Sequence, residues 1–144
     1  MDISIKDILD NVSVSCTIGK IPVDGTYETI GYFKVTGTYK PGSAGCDDAK
    51  HIVGMTAYAQ ERYYNSKWLF DFSELSYEWG DEMDWVLECG GGDEIVAVVV
   101  GPKCMAAIST LSNPNAKPSD CLKDDMTFDS LESAFAYLKD IKIT

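Results

Sequence analysis

Between Trp68 and Glu94 stand nine carboxylates, Asp71, Glu74, Glu78, Asp81, Glu82, Asp84, Glu88, Asp93 and Glu94, with no Lys or Arg among them. Trp79 and Trp85 sit inside the densest part of this run. Acids in such number could do three kinds of work: proton transfer by a matched pair, cation ligation, or attraction of a positively charged surface. No spacing singles out a catalytic pair, and many acids on one loop and helix usually form a solvated face. Asp81, Glu82 and Asp84 lack the Asp/Asn ladder, central Gly and terminal Glu of a calcium loop. Attraction of a basic surface is the remaining chemistry, and the expected binding set is Glu78, Asp81, Glu82, Asp84, Trp85 and Glu88, joined by Tyr58 from the preceding helix.

The other residues able to do chemistry carry less. His51 is the single histidine, and no signature of a catalytic nucleophile lies near it. Gly90-Gly91-Gly92 lacks the Gly-Lys-Ser/Thr ending of a phosphate loop and follows a helix, so it is expected to stop that helix. Cys89 has no basic neighbour in sequence to lower its pKa and is expected to be a buried thiol. We expect no catalytic residue, no cofactor and no bound metal.

Composition narrows the partners. With 23 acidic and 12 basic residues in 144, the net charge is −11, which repels nucleic acid and anionic membrane and favours basic proteins. The five cysteines stand far apart with no Cys-x-x-Cys pair, and an odd number cannot all pair within one chain, so a reducing, cytoplasmic setting is expected. The first residues lack the basic start and long apolar core of a signal peptide, and the longest apolar run, Ile95 to Val100, has six residues.

One domain accommodates 144 residues, and such a chain buries roughly two thirds of its unfolded surface without needing a metal or disulfide. Residues 1–40 alternate polar and apolar in Val12 to Ile18 and Tyr32 to Tyr39, around Pro22 and Asp24-Gly25, which predicts two neighbouring strands. The body, 41–144, alternates helix and strand. Asp47 or Asp48 is expected to cap a helix with Ile52, Met55, Ala59 and Tyr63 on its apolar side, ending near Asn65. Trp68 to Phe72 predicts a strand covered on both faces, and residues 73–77 its exit loop.

The next helix is expected to bury Trp79, Met83, Val86 and Leu87, with Asp81, Glu82 and Asp84 in its first turn, at the positive end of the dipole. Trp85 points away from that stripe, and two placements are open: an exposed anchor framed by acids, or a side chain packed under the 75–78 loop or a neighbouring helix. Likewise Tyr58, Tyr63 and Tyr64 either extend the surface or serve as core and cover. Residues 94–101 predict a second buried strand. A helix from Pro102 follows, with Met105, Ala106, Ile108 and Leu111 inward. After a polar loop at 112–125 and a short strand at 126–128, Asp129 or Ser130 caps a last helix using Leu131, Ala134, Phe135 and Leu138. Residues 141–144 are a tail or a small edge strand. The whole is read as an α/β domain with a central, mixed, mostly parallel sheet, about four helices and extra N-terminal strands.

From residue 30 to 140 this order of elements resembles the STAS domain of anti-sigma-factor antagonists and sulfate transporters. Leu69-Phe70-Asp71-Phe72-Ser73-Glu74-Leu75-Ser76-Tyr77 is similar to the family's strand and regulatory loop. Val98-Val99-Val100-Gly101-Pro102 and Phe128-Asp129-Ser130-Leu131-Glu132-Ser133-Ala134 are similar to its later strand and last helix. The resemblance implies a non-enzymatic domain that docks proteins through that loop and the helix after it. Phosphorylated members carry Asp-Ser-Ser-Gly or Asp-Thr-Ser-Gly where this chain has Trp79-Gly80-Asp81-Glu82, so no hydroxyl stands there and Asp81 supplies a fixed charge instead. The functional expectation is a domain that binds and blocks a basic protein, most directly as an immunity-type inhibitor of a toxin such as a nuclease. The alternatives are a STAS-type regulator docking an anti-sigma kinase or signalling protein, and a small-ligand carrier.

Overall fold

The alternation in Val14-Ser15-Cys16-Thr17-Ile18 builds strand β1 (Val14–Pro22), which pairs antiparallel with β2 (Thr29–Thr38) along its whole length, from Val14 opposite Gly37 to Pro22 opposite Thr29. The computed structural model describes residues 2–88 and 94–142. The strands before residue 33 thus join the central sheet. A crossover through helix α1 (Gly45–Arg62) leads to β3 (Lys67–Phe72), which lies parallel to β2. The remaining elements are β4 (Leu75–Ser76), α2 (Met83–Glu88), β5 (Ile95–Val100), α3 (Met105–Ser109), β6 (Thr127–Phe128) and α4 (Leu131–Asp140).

Sheet order is β1-β2-β3-β5-β6, with β4 attached to β2, and every pairing but β1–β2 is parallel. This is the α/β fold with a mixed, mostly parallel sheet and four helices. Side chains alternate along β3: Trp68, Phe70 and Phe72 enter one core cluster with α1, α2 and Ile108 of α3, while Leu69 enters a second with Ala134 and Leu138 of α4. Three helices therefore cover one face and α4 alone covers the other. All six residues of β3 are buried, as an apolar strand between two helical layers must be.

Several local expectations are corrected. Asp48 does not cap α1. The helix begins at Gly45 after a 3-10 turn at Gly42–Ala44, which places Asp48 in its first turn with its side chain fully buried. There its carboxylate accepts from the Ser13 amide (2.8 Å), the Ser13 hydroxyl (2.9 Å) and the Lys40 amide (2.9 Å), with the Lys40 ammonium at 3.2 Å. α1 ends at Arg62, before Asn65.

The 73–77 exit loop contains β4, and the 112–125 loop contains a 3-10 turn at Asp120–Lys123. α3 stops at Ser109, before Leu111, which is exposed, and within the helix Ala106 faces outward as well. Ser130 is the cap of α4, its hydroxyl accepting from the Ser133 amide at 3.2 Å, but Leu131 is exposed. Residues 141–142 form no strand. The glycine stop at Gly90–Gly92, Cys89, Asp93 and the last two residues lie outside the described residues.

Candidate functional site: an acidic loop and helix with two exposed indoles

The acidic residues are held by a loop that is itself pinned to the start of α1. Tyr77 is buried, its amide donates to the Lys103 carbonyl (3.0 Å), and its ring meets Tyr39 edge to face at 5.2 Å. The Tyr39 hydroxyl donates to the Asp81 carbonyl (2.5 Å), and the Asp81 amide donates to the Gly42 carbonyl (2.9 Å). Gly80 fits because it has no Cβ, which would stand 2.6 Å from the Lys40 carbonyl oxygen. Burial raises the Tyr39 and Tyr77 hydroxyl pKa values, and carboxylates near each, Asp48 and Glu82 for Tyr39, Asp84 and Asp81 for Tyr77, raise them further. Both phenols therefore stay protonated and keep donating.

This anchoring delays the helix. α2 begins only at Met83, so of the three acids expected in its first turn only Asp84 is there. Asp81 and Glu82 belong to the loop, and Glu82 takes a left-handed backbone, φ 73°, while its carbonyl accepts from the Val86 amide at 3.1 Å. Met83 and Val86 reach the core and Leu87 is half-buried.

Trp79 corrects the expected stripe. It precedes the helix, is 62% exposed, and lies with its ring against Gly42, where a Cβ would be 3.2 Å away. Gly80 beside it was the available signal, since a glycine there interrupts any helix starting at Trp79. Trp85 is 41% exposed on the side of α2 away from Met83 and Val86.

Glu78, Asp81, Glu82, Asp84 and Glu88 are all exposed, and none forms an ion pair among the described residues, where the pairs are Lys34–Glu74, Lys40–Asp48 and Lys123–Asp120. Five uncompensated carboxylates thus share one loop and helix with two indoles. Tyr58 is exposed on α1, the helix packed against α2; Tyr64 is exposed and Tyr63 half-buried at the end of α1. Asp84, Leu87 and Glu88 also border a cavity of about 700 Å³, whose other walls include Val96, Val98 and Ile108. Among the described residues no group of three or more His, Cys, Asp or Glu is placed to hold a metal ion, and no helix is long and apolar enough to cross a membrane.

No protein-family model matches the chain, and no curated protein does. Among solved structures, the chain is similar to an uncharacterised protein of the DUF3478 family with a SpoIIAA-like fold, from Shewanella loihica PV-4. That likeness has 17% identity and a TM-score of 0.49, and it covers 87% of this chain and 94% of the other.

Proposed function

We propose that this is a non-catalytic protein-binding domain whose acidic loop and α2 cover a basic surface on a partner, acting as an immunity-type inhibitor of a basic toxin such as a nuclease. One observation carries the reading: Glu78, Asp81, Glu82, Asp84 and Glu88 are exposed and form no ion pair among the described residues, on the same loop and helix as Trp79 and Trp85. Unpaired like charges repel one another in the free protein, and a basic partner relieves that repulsion. The indoles supply the apolar area that charge alone lacks, since Trp and a surrounding polar rim recur in binding hot spots. A nuclease must present positive charge to its own substrate, and covering that patch blocks it.

The test is association kinetics with the basic partner that affinity capture recovers at low salt. Replacing Glu78, Asp81, Glu82 and Asp84 together by Gln or Asn should slow association and flatten its salt dependence. Trp85→Ala should speed dissociation and cost about 2 kcal/mol of binding. Unchanged rates in both variants would reject this surface. A STAS-type regulator would dock through the same loop and helix, and a signalling kinase as the captured partner would select it. The cavity of about 700 Å³ beside α2 favours a second reading, carriage of a small ligand. Native mass spectrometry of the purified protein decides that question, a retained ligand mass favouring carriage.

A further inference from the structure

β5 is an inner strand of a mostly parallel sheet, flanked by β3 and β6, and such strands are normally covered on both faces. On the α4 side its Ala97 and Val99 are buried. On the other side Val96 and Val98 stay half-buried. The helices on that side are the reason: α4 packs along β5, whereas α2 has six residues, α3 has five, and neither runs along the strand.

The gap they leave is the cavity of about 700 Å³. Its walls are apolar, with Leu87 from α2, Val96 and Val98 from β5, Ile108 from α3, and Leu111 and Met126 from the segments after α3 and before β6. Leu111 and Met126 are exposed, so these walls keep apolar surface in contact with water. The volume falls in the range of small-molecule pockets.

Charge then narrows what fits. Asp84 and Glu88 border the cavity from α2, and Asp120 and Asp124 from the other side, against a single ammonium, Lys123. Lys123 is paired with Asp120 at 3.2 Å, and Asp120 also accepts from the Lys117 amide at 2.9 Å. Asp124 accepts from the Met126 amide and Asp84 from the Trp85 amide, each at 3.0 Å and each through one oxygen. None of Asp84, Glu88 and Asp124 forms an ion pair among the described residues. A cleft lined by charge of one sign over an apolar floor focuses its field on whatever enters. An anion is repelled there, and a neutral apolar molecule leaves the carboxylates uncompensated.

We propose that this cavity binds a small apolar cation, with its hydrocarbon body on Leu87, Val96, Val98 and Ile108 and its amine or guanidine head toward Asp84, Glu88 and Asp124. The inference rests on the ligand-carriage reading and gives that reading its ligand class.

The probes are decylamine, decanol and decanoate, which share one tail and differ in head charge, and butylamine, which keeps the ammonium and loses most of the tail. In calorimetric titrations of the full chain, decylamine should fill one site and bind at least about tenfold tighter than decanol, with decanoate weakest. Butylamine should bind at least about a hundredfold more weakly than decylamine, because most of the apolar burial is gone. Asp84→Asn, Glu88→Gln and Asp124→Asn together should bring decylamine down to about the affinity of decanol, whose own binding should not move. Ala116→Trp and, separately, Ser112→Trp each place an indole in the cavity wall from the polar loop and should weaken all three decyl probes at least about tenfold. Circular dichroism melting identifies which of the two is folded. Equal affinity for the three decyl heads, still lost in the indole variants, would overturn the cation assignment and leave ligand carriage standing. No binding of any decyl probe would overturn both. Butylamine as tight as decylamine, or decylamine binding that the folded indole variant leaves untouched, would show adhesion to surface charge alone and overturn the proposal.

Discussion

Asp48 shows what burial makes of a carboxylate. Desolvation alone would push its pKa up, but the Lys40 and Ser13 amides, the Ser13 hydroxyl and the Lys40 ammonium outweigh it, and the carboxyl is held below its ordinary 3.8. A lowered folded pKa means that the stabilisation is complete above the ordinary carboxylate range and is lost as pH falls below about 3.8 toward the folded value. Asp48→Ala leaves the part-buried Ser13 and Lys40 amides without their acceptor and the Lys40 ammonium without its ion pair, and should cost about 1–3 kcal/mol at neutral pH. In urea melts from neutral to acid pH, the gap between wild type and Asp48→Asn should narrow as acid removes the charge that Asn lacks. A constant gap would show that shape rather than charge matters there.

Glu82 makes the opposite point. A non-glycine residue at φ 73° costs roughly 1 kcal/mol, so Glu82→Gly should raise the urea midpoint while weakening partner binding, the pattern of strain retained at a working surface.

At the scale of elements, α2 separates structure from recognition by its two sides. Met83→Ala empties a core position and should cost about 2–4 kcal/mol in thermal or urea unfolding. Trp85→Ala removes a side chain that is 41% exposed and outside the core clusters, and should cost clearly less stability than Met83→Ala, so a loss of binding there that exceeds the loss of stability is not a loss of folding. The contrast also shows what was readable in advance. Strands β3 and β5 announced themselves because Trp68 to Phe72, apolar but for Asp71, and Ile95 to Val100 are runs of strand length, and Ser130 was legible as a cap because its bond to Ser133 is local. Trp79 was not. Its place depends on Tyr39 holding the Asp81 carbonyl from 42 residues away, and on Gly80 fitting beneath Lys40, contacts that no periodicity encodes. Leu111 was misplaced for a similar reason: the Ser109 hydroxyl bonds the Pro118 carbonyl, tying the chain into the next loop where α3 ends. The acidic segment was legible as composition, while its exposure and its division between loop and helix were not.

For the whole molecule, a charge of −11 on 144 residues sets a repulsion that folding must overcome. Its exposed carboxylates are screened by salt, whereas the buried Asp48 cluster is screened far less. Modest sodium chloride should therefore raise the melting temperature at neutral pH, measured by circular dichroism or calorimetry. No rise would mean that the acidic groups are already compensated in solution.

The parallel pairing of β2 with β3 also sets an order of events during synthesis. β1 and β2 leave the ribosome before β3 and can close as a hairpin from local contacts alone, but the inner edge of β2 pairs with residues 68–71 and 75–76, which follow after the whole of α1 has been made. In that interval Ile30, Phe33 and Val35 belong to a strand with one open, apolar edge, the kind of surface on which nascent chains stick to one another. The hairpin that completes the sheet is thus its most local part and, until β3 arrives, its most exposed one.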